Sequence, residues 1–173
     1  MSYPLRRVPL EGAPAQGTVW IHSVPAALCP HVEWALSQLL ECRIDLDWSA
    51  QEAERGARRA QLEWRHRAGT AAAITSVLAG WRRLRFEVDE HSVGDDLGQR
   101  YSCTPSLGVH RSDLGPDGEM RLDEYSLRRA LSRGEQGLVQ RLEGLLGSAW
   151  DEELEVFRRA GEGTPVRWLH KVG

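Results

Sequence analysis

The chain has little of several residue types that define specialised classes of protein. Only three of its 173 residues are cysteine, which is too few, and an odd number, for the disulfide framework of a small secreted domain. Lysine occurs once, at Lys171, and the other basic residues are arginines scattered in pairs close to acidic residues. The net charge is −3, so no basic excess marks a nucleic-acid binder.

Long apolar runs are also missing. No stretch approaches the roughly 20 apolar residues that a membrane-spanning helix needs, and the first residues lack the apolar centre of a signal peptide. The composition, 41% hydrophobic and 27% charged, is that of a globular protein. We therefore expect one cytoplasmic domain that does not associate with membranes.

Phosphate-binding glycine motifs are absent from the sequence. Neither G-x-G-x-x-G nor a P-loop occurs, and these are the motifs that wrap backbone amides around the phosphates of nucleotides. The sequence predicts no cofactor.

The most informative stretch that is present runs from Gly17 to Trp48. Thr18–His22 is a short β-branched and aromatic run that suits a strand. After Pro30, apolar residues recur at helical spacing and predict one buried stripe: Val32, Ala35, Leu36, Leu39 and Leu40. Arg43–Trp48 alternates in polarity, which predicts a half-buried strand.

The same plan follows a second time. Gln61–Arg67 alternates, Gly69 and Thr70 offer a helix start, and a helical stripe runs to about Gly80. Arg83–Asp89 alternates again. The order β-α-β-β-α-β predicts an α+β fold whose residues 17–92 form a ferredoxin-like unit with both helices on one face of a four-stranded sheet. Residues 1–16 are predicted to be a flexible lead-in.

Residues 93–173 are predicted to form a β-hairpin and helices packed on the first unit. The hairpin turns at Pro105 and Ser106, and Glu119–Leu122 is a return strand. Asp123 caps a helix to about Ser132, a second helix stops at Gly147 and a third starts near Ser148. A final strand is predicted over Val166–Lys171.

Four segments of the chain resemble one known family. HSVPAALCPHVEWAL, GTAAAITSVLAGWRRLRFEV, GQRYSCTPSLGVHR and EVFRRAGEGTPVRWLHKVG are similar to an actinobacterial family described as domain of unknown function 3145. The resemblance runs from about Gly17 to the C-terminus. It implies a bacterial cytosolic protein and an association with genes near type II fatty-acid synthesis, but it brings no activity and no catalytic residue.

One corner carries the residue types of a catalytic site. His22, Ser23, Cys29 and His31 crowd the end of the first strand and the start of the first helix. A cysteine at a helix N-terminus can act as a nucleophile, and a nearby histidine can act as its base. However, no acid is placed to orient either histidine, so we interpret Cys29 as a structural residue.

The same residues are also the nearest approach to a metal site. Cys29, His31 and Cys42 do not follow the paired spacing of structural zinc ligands. Cys29 and Cys42 lie at opposite ends of one helix, roughly 18 Å apart at 1.5 Å per residue. We predict no metal.

The sheet face opposite the two helices is the predicted interaction surface. Trp20, Arg65, Arg85 and Glu87 represent it, provided that the first strand turns Trp20 and His22, and not Val19 and Ile21, to this side. The third strand lacks the exposed aromatic residues with which ferredoxin-like domains stack RNA bases. Either the face is solvated, or the C-terminal half or a second copy covers part of it.

These features predict a non-catalytic binding or regulatory protein for a protein partner or a small ligand. A homo-oligomer is also compatible with them. The alternative is a small enzyme that uses the His22/Cys29/His31 corner and acts in fatty-acid metabolism.

Overall fold

The computed structural model describes residues 13–92 and 97–160. These contain seven strands and five α-helices, which confirms the α+β class. The strands are β1 (Pro14–Pro25), β2 (Ser49–Ala50), β3 (Ala57–Arg67), β4 (Arg85–Ser92), β5 (Gly98–Thr104), β6 (Gly108–Leu114) and β7 (Met120–Arg121). The helices are α1 (Cys29–Leu40), α2 (Thr70–Ala79), α3 (Glu124–Ser132), α4 (Leu138–Leu146) and α5 (Ser148–Ala160).

All seven strands belong to one sheet in the order β2-β3-β1-β4-β5-β6-β7. Every pairing is antiparallel. The predicted four-stranded sheet is therefore too small, because β5 pairs along β4 and carries the sheet on into the second half of the chain. The predicted hairpin at Pro105 and Ser106 is the β5–β6 connection.

The main core lies between one face of this sheet and helices α1 and α2. The predicted apolar stripe of α1 faces the sheet, and α2 adds Ala71, Ile74 and Leu78. β1 and β4 contribute Val19, Ile21, Phe86 and Val88, all of them at most 2% exposed. Burial of these side chains removes one apolar face of each helix from water, which is the main driving force for this packing.

Residues 43–48 differ from the prediction. They form no strand, and β2 consists of only two residues, Ser49 and Ala50. The alternation in burial is present, but the segment runs along α1 and bonds to helix side chains. The amide of Ile44 donates to Ser37 Oγ at 2.9 Å, and Glu33 Oε1 accepts from the Leu46 amide at 3.0 Å and from Trp48 Nε1 at 2.8 Å.

The start of α2 also differs. Gly69, with φ of 87°, holds the N-cap position, and Thr70 is already helical. Gly69 has no side chain that could accept a hydrogen bond from the first amides of the helix. Instead the Glu90 carboxylate accepts from the amides of Gly69 (2.7 Å) and Ala71 (2.8 Å). A carboxylate there stabilises the positive end of the helix dipole.

β1 begins earlier than predicted. Pro14–Gln16, placed in the lead-in by the sequence, pair with β3 as far as Arg67. Gly17 is required in this part of the strand, because a Cβ atom there would overlap the carbonyl oxygen of Asp89. The two strands approach too closely at this point for any larger residue.

The second half follows the predicted helices. Asp123 caps α3 by accepting from the Ser126 amide at 2.8 Å, and α4 ends at Gly147. Helix α5 lies on the sheet face opposite α1 and α2, with Leu154 fully buried. The predicted final strand over Val166–Lys171 lies outside the described residues.

Candidate functional site

The two faces of β1 separate the core from a polar cluster. Cross-strand neighbours share a face of a sheet, and Ile21 lies opposite Phe86 whereas Trp20 lies opposite Glu87. Ile21 therefore belongs to the core face, and Trp20 belongs to the face that α5 partly covers. Of the two alternatives that the sequence left open for this strand, the structure therefore has Trp20 and His22, and not Val19 and Ile21, on the face opposite α1 and α2.

Glu87 is the centre of the polar cluster. It is only 6% exposed. Its Oε2 lies 2.7 Å from His22 Nε2, and Ser102 Oγ donates to its Oε1 at 3.3 Å. From α5, Arg158 donates to both oxygens, with Nε–Oε2 at 2.9 Å and Nη2–Oε1 at 2.5 Å. Two-point pairing of this kind fixes the guanidinium plane as well as its position.

These contacts decide the charge of Glu87. Burial by itself would raise the pKa of the carboxyl group, but the hydrogen bonds from His22 and Arg158 and the charge of Arg158 outweigh it and lower the pKa to about 2. Burial opposes the charge of Arg158 too, yet Glu87 and Asp151 raise the pKa of its guanidinium above the ordinary value. Both groups are ionised at neutral pH.

A second ion pair lies beside the first. Arg100 on β5 donates from Nε and Nη2 to the two oxygens of Asp89, each at 2.8 Å. Asp89 is 3% exposed. The hydrogen bond to Asp89 raises the pKa of Arg100 against the effect of burial. Two carboxylates of β4, on the sheet face opposite α1 and α2, are thus buried and paired.

Arg85 joins α5 to the same strand at a third point. Its Nε donates to Glu153 at 3.0 Å, its Nη1 donates to Glu54 at 3.1 Å, and its guanidinium carbon lies 4.3 Å from the centre of the Phe157 ring. Stacking of a guanidinium on an aromatic face adds to the ion pairs. α5 is therefore held to β4 by two arginines, one from each partner.

A cleft of about 510 Å³ opens between this cluster and strands β1–β3. Its walls include Trp20, His22, Ser49, Arg59, Gln61 and Arg100, and its rim carries Asp47 and Asp151. Arg59 is half-buried, and its Nη1 is enclosed by protein with no hydrogen-bond partner among the described residues. A buried donor without an acceptor costs about 1–3 kcal/mol.

The structure does not bring the predicted catalytic corner together. Cys29 faces the core beneath α1, His22 lies on the opposite face of the sheet, and His31 is exposed on α1. Ser23 is buried and donates to Glu54. One expectation was wrong in detail: an acid does orient a histidine, because Glu87 bonds to His22.

Cys29 has the environment of a structural thiol. Burial, and then the negative charge of Glu33, raise its pKa. A thiol with a raised pKa is a poor nucleophile at neutral pH. Within residues 13–92 and 97–160, moreover, no group of three or more histidine, cysteine, aspartate or glutamate side chains is placed to hold a metal ion.

The four residues of the predicted interaction surface have different surroundings. Glu87 and Arg85 are engaged within the protein, as described above. Trp20 is half-buried in the cleft, and Arg65 is exposed on β3.

Among the helices of the described residues, none is long and apolar enough to cross a membrane.

Comparison with models of protein families identifies one family that matches almost the whole chain. The model of the protein of unknown function family DUF3145 matches residues 18–171. The chain belongs to this family. Searches of the curated proteins and of the solved structures gave no match. The match covers both halves of this DUF3145 protein, so the cleft and the helix that covers it lie inside the shared region.

Sequence reasoning missed the cluster on Glu87. Arg158 is 71 positions away along the chain and His22 is 65 positions away, and no local spacing connects them. One signal was available in this DUF3145 protein. The last turn of the amphipathic helix α5 carries Arg158 and Arg159, and alternate positions of β4 carry Glu87 and Asp89.

Proposed function

We propose that this protein binds a small polar ligand, without catalysis, in the cleft between β1–β3 and α5. The observation that carries the proposal is Arg59, a half-buried guanidinium that lines the cleft and has no ion-pair partner among the described residues. A charged side chain that lines a cleft and lacks a counter-charge from the protein is the kind of group that fixes a polar ligand in a binding site.

Binding fits the geometry better than catalysis. A histidine acts as a base on a nucleophile within hydrogen-bond reach. His22 Nε2 is hydrogen-bonded to the carboxylate of Glu87, and that carboxylate also accepts from Arg158. This nitrogen is therefore not available to a nucleophile. The thiol of Cys29 and the hydroxyl of Ser23 point to other partners. The cluster therefore serves to build a rigid wall of the cleft.

The cytoplasm is the compartment that we propose for this activity. Cys29, Cys42 and Cys103 are all free thiols, and Cys42 is exposed. An exposed free thiol suits a reducing compartment.

The proposal is tested by NMR with a library of small polar fragments and isotope-labelled protein. Fragments are expected to shift the amide signals of Trp20, Ser49 and Gln61. The variant Ser49→Trp fills the cleft from an exposed position and should abolish these shifts. Ala50→Trp is the matched control, since Ala50 is the next residue, is equally exposed and does not line the cleft.

Either of two results would reject the proposal. In the first, no fragment shifts the cleft amides of the wild-type protein. In the second, Ser49→Trp responds to the fragments as the wild type does.

A further inference from the structure

We infer that the ligand of this cleft is a small monocarboxylate with a flat apolar group, bound through Arg59 and packed on Trp20. This inference rests on the proposed function and specifies its ligand. It starts from the charges that line the cleft and asks which of them are already neutralised by protein partners.

Two of the three arginines of the cleft are fully engaged. Arg158 pairs with Glu87 and Asp151, at 2.5 and 3.0 Å. Arg100 pairs with Asp89 through two hydrogen bonds. Neither guanidinium can turn towards a ligand without leaving a buried carboxylate unpaired, which is strongly unfavourable.

Arg59 is the third arginine, and within the described residues it makes no ion pair. Its cross-strand neighbour is Ser49, which lines the same cleft and offers no charge. Arginine presents parallel N–H donors in a fixed plane, and these match the two oxygens of a carboxylate. A carboxylate in the cleft would give the guanidinium of Arg59 the counter-charge that the described residues do not provide.

The rest of the lining limits the ligand to one negative charge. Three arginines and three carboxylates line the cleft, so their formal charges balance. Asp47 and Asp151 are exposed at its rim and repel a second anionic group. A polyanion such as a nucleotide triphosphate is therefore disfavoured, and a dianionic phosphate ester is less suitable than a carboxylate.

The apolar part of the ligand is defined by Trp20. Its side chain is half-buried and lies between Gln61 on β3 and Glu87 on β4, its two cross-strand neighbours. A half-buried indole in the wall of a cleft can stack on a planar group of a ligand. Gln61 is exposed beside it and supplies a neutral donor and acceptor.

The experiment compares three probes of the same shape: benzoate, phenyl phosphate and neutral benzamide. Each is titrated into the full-length protein, and the amide signals of Trp20 and Gln61 and the Arg59 side-chain signal are followed by NMR. Benzoate is expected to bind best. Arg59→Met should weaken benzoate by about tenfold or more, as loss of a charge-assisted hydrogen bond does.

Arg58→Met is the matched control. Arg58 is the preceding residue on β3, is exposed and does not line the cleft, so its loss should leave benzoate binding within about twofold of the wild type, as surface changes do. If Arg59→Met is unfolded, Arg59→Lys replaces it, because it keeps the charge and removes the planar donors. Weaker benzoate binding by Arg59→Lys would then support the inference.

Four results would overturn the inference. They are benzamide binding as well as benzoate, phenyl phosphate binding better than benzoate, no binding of benzoate, and equal benzoate binding by the wild type and Arg59→Met. In each case the polar-fragment screen decides separately whether the cleft binds ligands at all. Failure of the ligand class is thereby distinguished from failure of the proposed function.

Discussion

At the scale of single residues, Glu87 keeps its charge in a place where burial alone would neutralise it. Arg158 and His22 reverse that effect, and the consequence is a dependence of stability on pH. The folded-state pKa of Glu87 is about 2, below the ordinary value of 4.5. A carboxylate with a lowered pKa stabilises the fold above its unfolded-state pKa, and that contribution is lost as the pH falls through the folded-state value.

We therefore expect Glu87→Gln to lower the free energy of unfolding by about 3 kcal/mol at pH 7. The difference from the wild type should shrink between about pH 4.5 and pH 2, because in that range Glu87 takes up a proton in the unfolded chain but largely not in the folded protein. Denaturant unfolding at pH 7, 4 and 2.5 measures it.

Glu124→Gln is the control for this prediction. Its ion pair with Arg128 on α3 is about three-quarters exposed on both sides, so its loss should change stability by less than about 0.5 kcal/mol at any pH. A constant difference between Glu87→Gln and the wild type from pH 7 to pH 2.5 would contradict the assignment of the pH effect to Glu87.

At the scale of elements, β1 and β4 approach each other closely at Gly17. The contact is with backbone, which cannot move aside as a flexible side chain can. Trp64 of β3 also approaches this position, since its ring atom Cζ2 would lie 2.8 Å from an added Cβ. Strands β3, β1 and β4 can therefore pack in this way only because residue 17 has no side chain.

Gly17→Ala is accordingly expected to destabilise the protein by at least about 2 kcal/mol, as overpacking does. Gly144→Ala is the matched control, because a Cβ atom at Gly144 meets nothing within 4 Å. It lies in the interior of α4, where replacing glycine by alanine should stabilise by about 0.5–1 kcal/mol. Thermal and denaturant melts of the two variants should move in opposite directions, and a silent Gly17→Ala would refute the close approach.

How far the sequence predicts these elements depends on the range of the interactions that form them. The helices α1 and α2 and the turn at Pro105 follow from local periodicity and turn chemistry, and the sequence predicts them well. Residues 43–48 show the limit. Their alternation is correct, but the sequence could not show that Glu33 and Ser37 of α1, and not a neighbouring strand, accept their amide hydrogen bonds.

The candidate site was less predictable than the fold. Strand phase assigned Glu87 to its face, but it left two alternatives for Trp20, and only the pairing of β1 with β4 shows that the two residues share a face. Arg59 was not identified, because its environment depends on the cleft that α5 closes on one side. Charge pairs between residues distant in sequence leave no spacing that a reader of one sequence can recognise.

At the scale of the whole molecule, the sheet joins the two halves of the chain. β4 belongs to the first half and β5 to the second, and the two strands pair over Phe86–Glu90. α5 adds contacts from the end of the chain to the face of β4. The two halves of the chain thus share one sheet, and neither can be removed without exposing an edge of β4 or β5.

We expect the halves to unfold together, and the three cysteines report on this. Cys42 is exposed, whereas Cys29 in the first half and Cys103 in the second are buried. Burial raises the pKa of Cys103 to about 11, with a smaller contribution from the charge of Glu153. At neutral pH an alkylating reagent should modify Cys42 rapidly, and Cys29 and Cys103 only on opening of the fold.

In low denaturant, Cys29 and Cys103 should therefore become reactive with the same opening free energy, measured by mass spectrometry of the modified peptides. Modification of Cys103 well before Cys29 would show that the second half opens by itself. Rapid modification of native Cys29 would contradict its structural role.

The position of β1 in the middle of the sheet has a consequence for folding during translation. β1 emerges before the other strands, yet its two neighbours in the finished sheet, β3 and β4, are made much later. Both of its edges stay open meanwhile, and an open edge is where a nascent strand adds to the wrong chain. Glu87 cannot pair with Arg158 until a further 71 residues have been synthesised. The polar cluster can form only after α5 has been synthesised, so a chaperone that shields β1 during that interval would raise the yield of folded protein.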